Sequence, residues 1–372
     1  MERVLSIKAN YLADKLGYEV MVVTTSQRSR KPFYSFSERI KFVDLGIDYE
    51  EIKMQPLVKR IKARIAAKRK HRRLLTDLLK EYRPDITVSM FTHEMTFLPS
   101  IKDGSKKVLE LHFSKQFRTL DARSNGVSFT MRAINHILDY LDRRAIRAYD
   151  QFVVLSKMDA ADWGKGYKNM TIISNPLSFE PLGSELSNLD TKRALAIGRL
   201  CPQKGFDTLL KVWATIPAEV RDKWTLDIVG SGPDEQVLRK AILEYNLGES
   251  VKILPPVQDV QSLYRTHSIF CFPSRYEGFG MAILEAMSFG LPPVSFNCPC
   301  GPAEIIDDKF NGFLIKQNDI HSFANALIQL MESPNLRSDM GSRAHKKATE
   351  RFSVESTMNK WHNTFEHLRN EQ

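Results

Sequence analysis

Pro273-Ser274-Arg275-Tyr276-Glu277-Gly278-Phe279-Gly280-Met281-Ala282-Ile283-Leu284-Glu285-Ala286-Met287 is the stretch around which the rest of the chain makes sense. The apolar run Ser268-Ile269-Phe270-Cys271-Phe272 leads into it, and apolar residues at helical spacing, Ile283, Ala286 and Met287, lead out of it. The pattern predicts a strand, a glycine turn and a helix. Glycines let a backbone approach a ligand with no Cβ in the way, and the free N–H groups of a helix start favour negative charge. Glu277 lies in the turn, and Glu285, eight residues later, lies about one turn inside the helix, so both border the space in front of it. A carboxylate is an acceptor only, so the pair suits a ligand rich in hydroxyls, while the helix start suits its phosphates. The ligand implied is a sugar nucleotide.

The stretch resembles the donor-site signature of retaining glycosyltransferases of family 4, in which two glutamates separated by seven residues flank a Gly-Phe-Gly turn. Other segments similar to that family occur in the same order: Ala196-Ile197-Gly198-Arg199-Leu200 with Lys204-Gly205-Phe206-Asp207, then Val229-Gly230-Ser231-Gly232, then Gly301-Pro302-Ala303-Glu304. The resemblance is strong over residues 170–365 and weak before them. It implies an α/β protein of the GT-B fold, two doubly wound, Rossmann-like domains facing each other across a cleft. The expected division is an acceptor-side domain over residues 1–177, a linker over 178–192, a nucleotide-sugar-binding domain over 193–351, and a helix over 352–372 that crosses back to the first domain. Ser178, Pro181, Gly183, Ser184, Ser187 and Asn188 give the linker its polar, turn-rich composition.

Arg199 follows a predicted strand and Lys204 precedes a predicted helix, which places both at the carboxyl edge of a sheet, where ligand phosphate lies. Their expected task is to neutralise a departing diphosphate, and the resemblance assigns them the same one. By resemblance Glu285 accepts from ribose hydroxyls, Glu277 holds the transferred sugar, and the backbone of Gly278, Phe279, Gly280 and Met281 completes the cradle. Gly230-Ser231-Gly232 is a second glycine turn, expected near the nucleoside; it lacks the third glycine of a dinucleotide fingerprint. His112, just past a predicted strand, is the titratable candidate from the first domain, and the family's cleft histidine gives it a sugar contact. His93 with Glu94 is the weaker alternative. No Asp-x-Asp pair occurs, so no divalent-metal clamp and no cofactor are expected; Arg199, Lys204 and the helix end take that place. Front-face transfer with retention is what the resemblance implies. The rival readings are a sugar-nucleotide epimerase of the same fold and a non-catalytic sugar-nucleotide or glycan-binding module.

Composition bounds the rest. A chain of 372 residues with 42% hydrophobic residues is long enough for two full cores. No run approaches the ~18 consecutive apolar residues of a membrane span, and the basic N-terminus lacks the apolar core of a secretory signal, so a cytoplasmic protein is expected. Cys201, Cys271, Cys298 and Cys300 show no paired metal spacing and read as structural. The net charge of +10 is concentrated: ten Lys or Arg residues fall between Lys53 and Arg73, interrupted by Leu57, Val58, Ile61 and Ile65 at helical spacing. This predicts one basic amphipathic helix with an anionic partner: a lipid headgroup surface, a diphosphate-bearing acceptor or nucleic acid. A solvated helix face with no partner is the plain alternative. The absence of aromatic residues among the charges disfavours nucleic acid. The partners expected are therefore a nucleotide-sugar donor, a glycan or lipid-linked acceptor, and an anionic membrane surface on its cytoplasmic side.

Along the chain, helical and strand patterns alternate, which predicts parallel sheets. Strands are expected near residues 19–25, 40–45, 86–90, 107–111, 151–156, 171–174, 194–198, 226–229, 251–254, 268–272, 293–296 and 312–315. Residues 121–135 carry few signals and read as a loop. A doubly wound domain ordinarily opens with its central strand, whereas this chain opens in the helix of residues 2–16. The expectation is that the natural reading frame continues upstream by roughly 12–20 residues, a strand plus a turn, and that residues 1–372 alone are poorly soluble or inactive.

Overall fold

A computed structural model describes residues 1–28, 30–115, 140–179, 181 and 186–371. The loop expected over residues 121–135 lies outside them, as do the linker residues 180 and 182–185. The strands form three parallel sheets. The largest belongs to the second domain and runs β12-β11-β10-β7-β8-β9, with β7 at Arg193–Ile197, β8 at Thr225–Val229, β9 at Val251–Leu254, β10 at Ile269–Phe272, β11 at Pro293–Phe296 and β12 at Phe313–Ile315. Parallel strands are joined by crossovers, and helices on both faces bury β10 and β11 throughout. Alternate residues accordingly enter two different cores: Ala194, Ala196, Ile269 and Cys271 on one face, Leu195, Phe270 and Phe272 on the other. The chain winds outward from β7 through β9, then returns to lay β10 on the other side of β7. That reversal opens a crevice at the carboxyl ends of β7 and β10, the position where open α/β sheets hold ligands.

The first domain opens with α1 (Glu2–Asp14), followed by β1 (Met21–Thr24) and β2 (Lys41–Asp44), which pair only with each other. Its main sheet is β3 (Ile86–Ser89), β4 (Lys106–Glu110), β5 (Gln151–Val154) and β6 (Met170–Ile172), paired in chain order. The two sheets share no ladder, so β1 and β3 each present an unpaired edge among the described residues.

The charged segment departs from the expected single helix. Lys53 ends a short helix, Tyr49–Lys53, and the long helix α2 starts afresh at Leu57–Tyr82. Pro56 is the cause: it has no N–H to continue a helix, and its ring pushes the preceding residue out of the helical region.

The remaining helices named below are α3 (Lys157–Trp163), α4 (Met281–Ser288), α5 (Pro302–Ile305) and α6 (Val354–Asn370). Met358, Trp361, Phe365 and Leu368 of α6 pack on Val108, Val153 and Ile173, so this helix forms one layer of the first domain although it follows the second. Burying four such side chains contributes on the order of 6–12 kcal/mol before entropy costs. A backbone bond from Leu177 N–H to the Phe352 carbonyl (2.8 Å) ties the two crossings between domains together.

Candidate functional site

The buried run of β10 delivers Glu277 to the mouth of the crevice, and α4 begins just beyond. Gly280 adopts φ +96°, a left-handed conformation that turns the chain from the strand into the helix. Ile283 and Leu284 N–H groups close on the Gly280 carbonyl, so the donors of Met281 and Ala282 have no intrahelical acceptor and remain for a ligand. The turn after β7 lies alongside. Lys204 Nζ donates to Glu277 Oε1 at 2.7 Å, and Gly205 passes so close to Pro273 that a Cβ would sit 2.2 Å from its carbonyl oxygen. Arg275 braces the same pair of turns through Asp207 Oδ2 at 2.6 Å. Arg199, at the end of β7, is exposed and makes no ion pair among the described residues. It is thus a cation in reserve beside the Lys204–Glu277 pair.

Glu285 is buried, facing inward from α4. Its Oε1 accepts from Arg3 Nη1 at 2.8 Å and its Oε2 from the Tyr264 hydroxyl at 3.0 Å. Burial first, and the Glu285 charge second, push the Tyr264 hydroxyl well above the usual tyrosine range, so it stays a donor. Two bonds leave lone pairs on the carboxylate for further hydroxyls.

Facing these elements from the first domain is the end of β4. Glu110 is buried with Lys8, whose Nζ donates to Glu110 Oε2 at 2.5 Å and lies 3.6 Å from the Trp361 ring centre. Burial works to raise the Glu110 carboxyl, but the charges of Lys8 and His112 outweigh it and hold it at about 2. His112 Nε2 lies 3.4 Å from Glu110 Oε1 without making a hydrogen bond. The His112 backbone packs directly on the second domain: a Cβ on Gly278 would stand 2.0 Å from the His112 carbonyl oxygen and 3.3 Å from Phe113 Cα. The missing side chain of Gly278 therefore lets the domains meet.

The structure brings Glu277, Lys204, Arg199, Gly278, Phe279, Gly280, Met281 and Glu285 to one crevice, with His112 across the domain seam. Gly230 and Gly232 have another reason to be glycine. A Cβ on either would meet the Gly198 or Leu200 carbonyl oxygen, at 1.9 and 2.2 Å, so they let the turns after β7 and β8 pack together. His93 does not join the crevice residues; it stacks on Tyr49, ring centres 3.7 Å apart.

Sequence reasoning missed Arg3 and Tyr264, since their link to Glu285 spans distant parts of the chain and follows no local spacing. Lys8 carried a signal that could have been read, because it lies between Leu5 and Leu12 on the apolar stripe of α1. Glu304 was noted only as part of a motif. It accepts from the Lys157 N–H at 3.0 Å and pairs with Arg351, fastening α3 of the first domain to α5 of the second. Among the described residues, no group of three His, Cys, Asp or Glu is arranged to hold a metal ion.

Two Rossmann-like domains, a ligand crevice at the strand reversal of the second, and a returning C-terminal helix together define the GT-B fold of glycosyltransferases. Residues 182–347 match the family model described as glycosyl transferases group 1. Over 364 residues the chain is 32% identical to an uncharacterized glycosyltransferase of Haemophilus influenzae, covering 97% of this chain and 94% of that protein. The chain belongs to the glycosyltransferases. Among solved structures it superposes on the apo lipopolysaccharide outer core galactosyltransferase WaaB with a TM-score of 0.72 at 20% identity, covering 98% of this chain and 95% of that one. It also superposes on HepE of Anabaena in complex with UDP, with a TM-score of 0.69 at 16% identity, covering 98% and 96% of the two chains. At these identities the superpositions establish the fold.

Proposed function

We propose that this glycosyltransferase works with retention and without a metal, moving a hexose or N-acetylhexosamine from a UDP-sugar to a glycan or lipid-linked acceptor on the cytoplasmic side of a membrane. The observation that carries the proposal is the Lys204–Glu277 pair at the start of α4, with Arg199, exposed and in no ion pair among the described residues, beside it. A departing diphosphate needs cations or oriented N–H groups, and a sugar needs acceptors; the crevice offers both where the turn after β7 meets the turn after β10. The UDP bound by HepE and the lipopolysaccharide acceptor in the name of WaaB lend support to the choice of donor and acceptor.

In this reading Arg199, Lys204 and the amides of Met281 and Ala282 take the diphosphate, Glu285 takes the ribose hydroxyls, and Glu277 holds the transferred sugar. The bond from the anomeric carbon to the diphosphate oxygen breaks while the acceptor oxygen bonds to the same face of that carbon. The acceptor proton passes to the departing phosphate oxygen. His112, opposite Gly278, contacts the sugar from the first domain.

Isothermal calorimetry with UDP tests the donor assignment. Lys204→Ala is expected to weaken binding on the order of tenfold to a hundredfold while the variant unfolds cooperatively. Unchanged affinity in both Lys204→Ala and Arg199→Ala would remove the assignment. The anomeric configuration of the product by proton NMR decides retention, and turnover in excess chelator decides metal independence. Donor hydrolysis without acceptor separates an enzyme from a binding module.

A further inference from the structure

Helix α2 takes no part in the donor crevice. Its second half is anchored, with Ala67, His71, Leu75 and Leu79 buried at intervals of four residues. Its first half is not. Val58, Ile61 and Ile65 are 67%, 53% and 50% exposed, and Met54 just ahead of the helix is 87% exposed. The spacing of Val58, Ile61 and Ile65 is helical, so these three line up as one apolar stripe, which a packed helix would hide, while Met54, ahead of the break at Pro56, is a separate exposed apolar side chain. Lys59, Arg60, Lys62, Arg64, Lys68 and Arg69 flank the stripe, all exposed. Among the described residues, no cation between Lys59 and Arg73 forms an ion pair.

We propose that the first half of α2, together with Met54, is a docking surface for anionic membrane lipid. Apolar side chains flanked by cations match the boundary between headgroups and acyl chains: the apolar side chains enter it, while the cations extend along their stems to the phosphates. Single-stranded nucleic acid is bound through aromatic faces as well as cations, and residues 54–73 contain no Phe, Tyr or Trp. No helix among the described residues is long and apolar enough to cross a membrane, so the contact is peripheral. Met54 also lines a hollow with Arg28, Asp48, Glu50 and Glu51, beyond the carboxyl ends of β1 and β2.

The test is co-sedimentation of the full chain with vesicles of phosphatidylcholine alone and of phosphatidylcholine mixed with phosphatidylglycerol, at low and high salt. Two variants accompany it: Lys59→Glu with Arg60→Glu, Lys62→Glu and Arg64→Glu, and Val58→Ser with Ile61→Ser and Ile65→Ser. All these side chains are exposed, and thermal unfolding and UDP binding verify that each variant is folded. The wild type is expected on the anionic vesicles only, released by salt, with each variant weakened at least roughly tenfold. Equal sedimentation with both vesicle types would overturn the proposal. So would a serine variant that binds like the wild type while RNA competes for the surface, since that outcome describes a general polyanion patch.

Discussion

Asp159 shows how one carboxyl at the domain seam sets a pH response. It is buried in α3, accepts from the Lys115 N–H at 3.2 Å, and receives the Cys300 thiol at 3.4 Å. Burial foremost pushes it up to about 6 from an ordinary 3.8. For a carboxyl raised by folding, the cost is absent below the ordinary value, grows as pH climbs through that window, and is complete above about 6. The full cost is about 3 kcal/mol. Asp159→Asn removes the charge and keeps a carbonyl acceptor. In denaturant titrations the variant should gain on the wild type as pH rises from 4 to 7; parallel profiles for the two proteins would contradict the assignment. At this scale the sequence was legible where chemistry is local. The placement of Glu277, Lys204 and Arg199 at turns beside the crevice was readable because glycine turns and strand ends lie within a few residues of them. Asp159, Arg3 and Tyr264 did not, because burial and a distant partner give each its role, and neither has a local signature.

Strands were the most legible elements, since apolar runs such as Phe270-Cys271-Phe272 admit few other readings when both faces are covered. Helices over residues 320–332 and 334–351 are not among the elements the sequence led us to expect, nor is the break at Pro56, which separates what charge alone joins. The turn between β10 and α4 carries the sharpest prediction at this scale. The three nearest atoms that a Cβ on Gly278 would meet all belong to backbone, so the clash is not relieved by a side chain swinging aside. Gly278→Ala must then part the two domains by about 1 Å, a displacement that costs a reaction on the order of a hundredfold when it separates reacting groups. Steady-state kinetics should show that fall in turnover, and under the donor site proposed above, whose contacts come from the second domain, UDP affinity should change far less. A variant with wild-type turnover would mean that the contact of His112 with Gly278 is not kept during catalysis.

Over the whole molecule, the two domains are joined by buried seams, while the first domain is itself divided between β1 and β3. The bonds from Lys41 N–H to the Val20 carbonyl and from Lys106 N–H to the Asp85 carbonyl fix which peptide groups face a neighbour. By alternation along a parallel ladder, Met21 and Val23 on one side, and Ile86 and Val88 on the other, point theirs away from it. The side chains of Val23 and Val88 are exposed as well, at 36% and 37%. This division has a clock attached to it. Amides without an internal acceptor trade hydrogen for deuterium through local fluctuation alone, whereas those inside a ladder wait for larger openings. Exchange followed by NMR should therefore draw a fast line through the first domain at Val23 and Val88, with Val108 and Val153 slow beneath α6. Equal protection of all four would mean that the seam closes in solution. If the line appears, the seam between β1 and β3 is open to water in solution, and the bonds of α1 from Lys8 to Glu110 and from Arg3 to Glu285 are among the contacts that hold that end of the molecule in place.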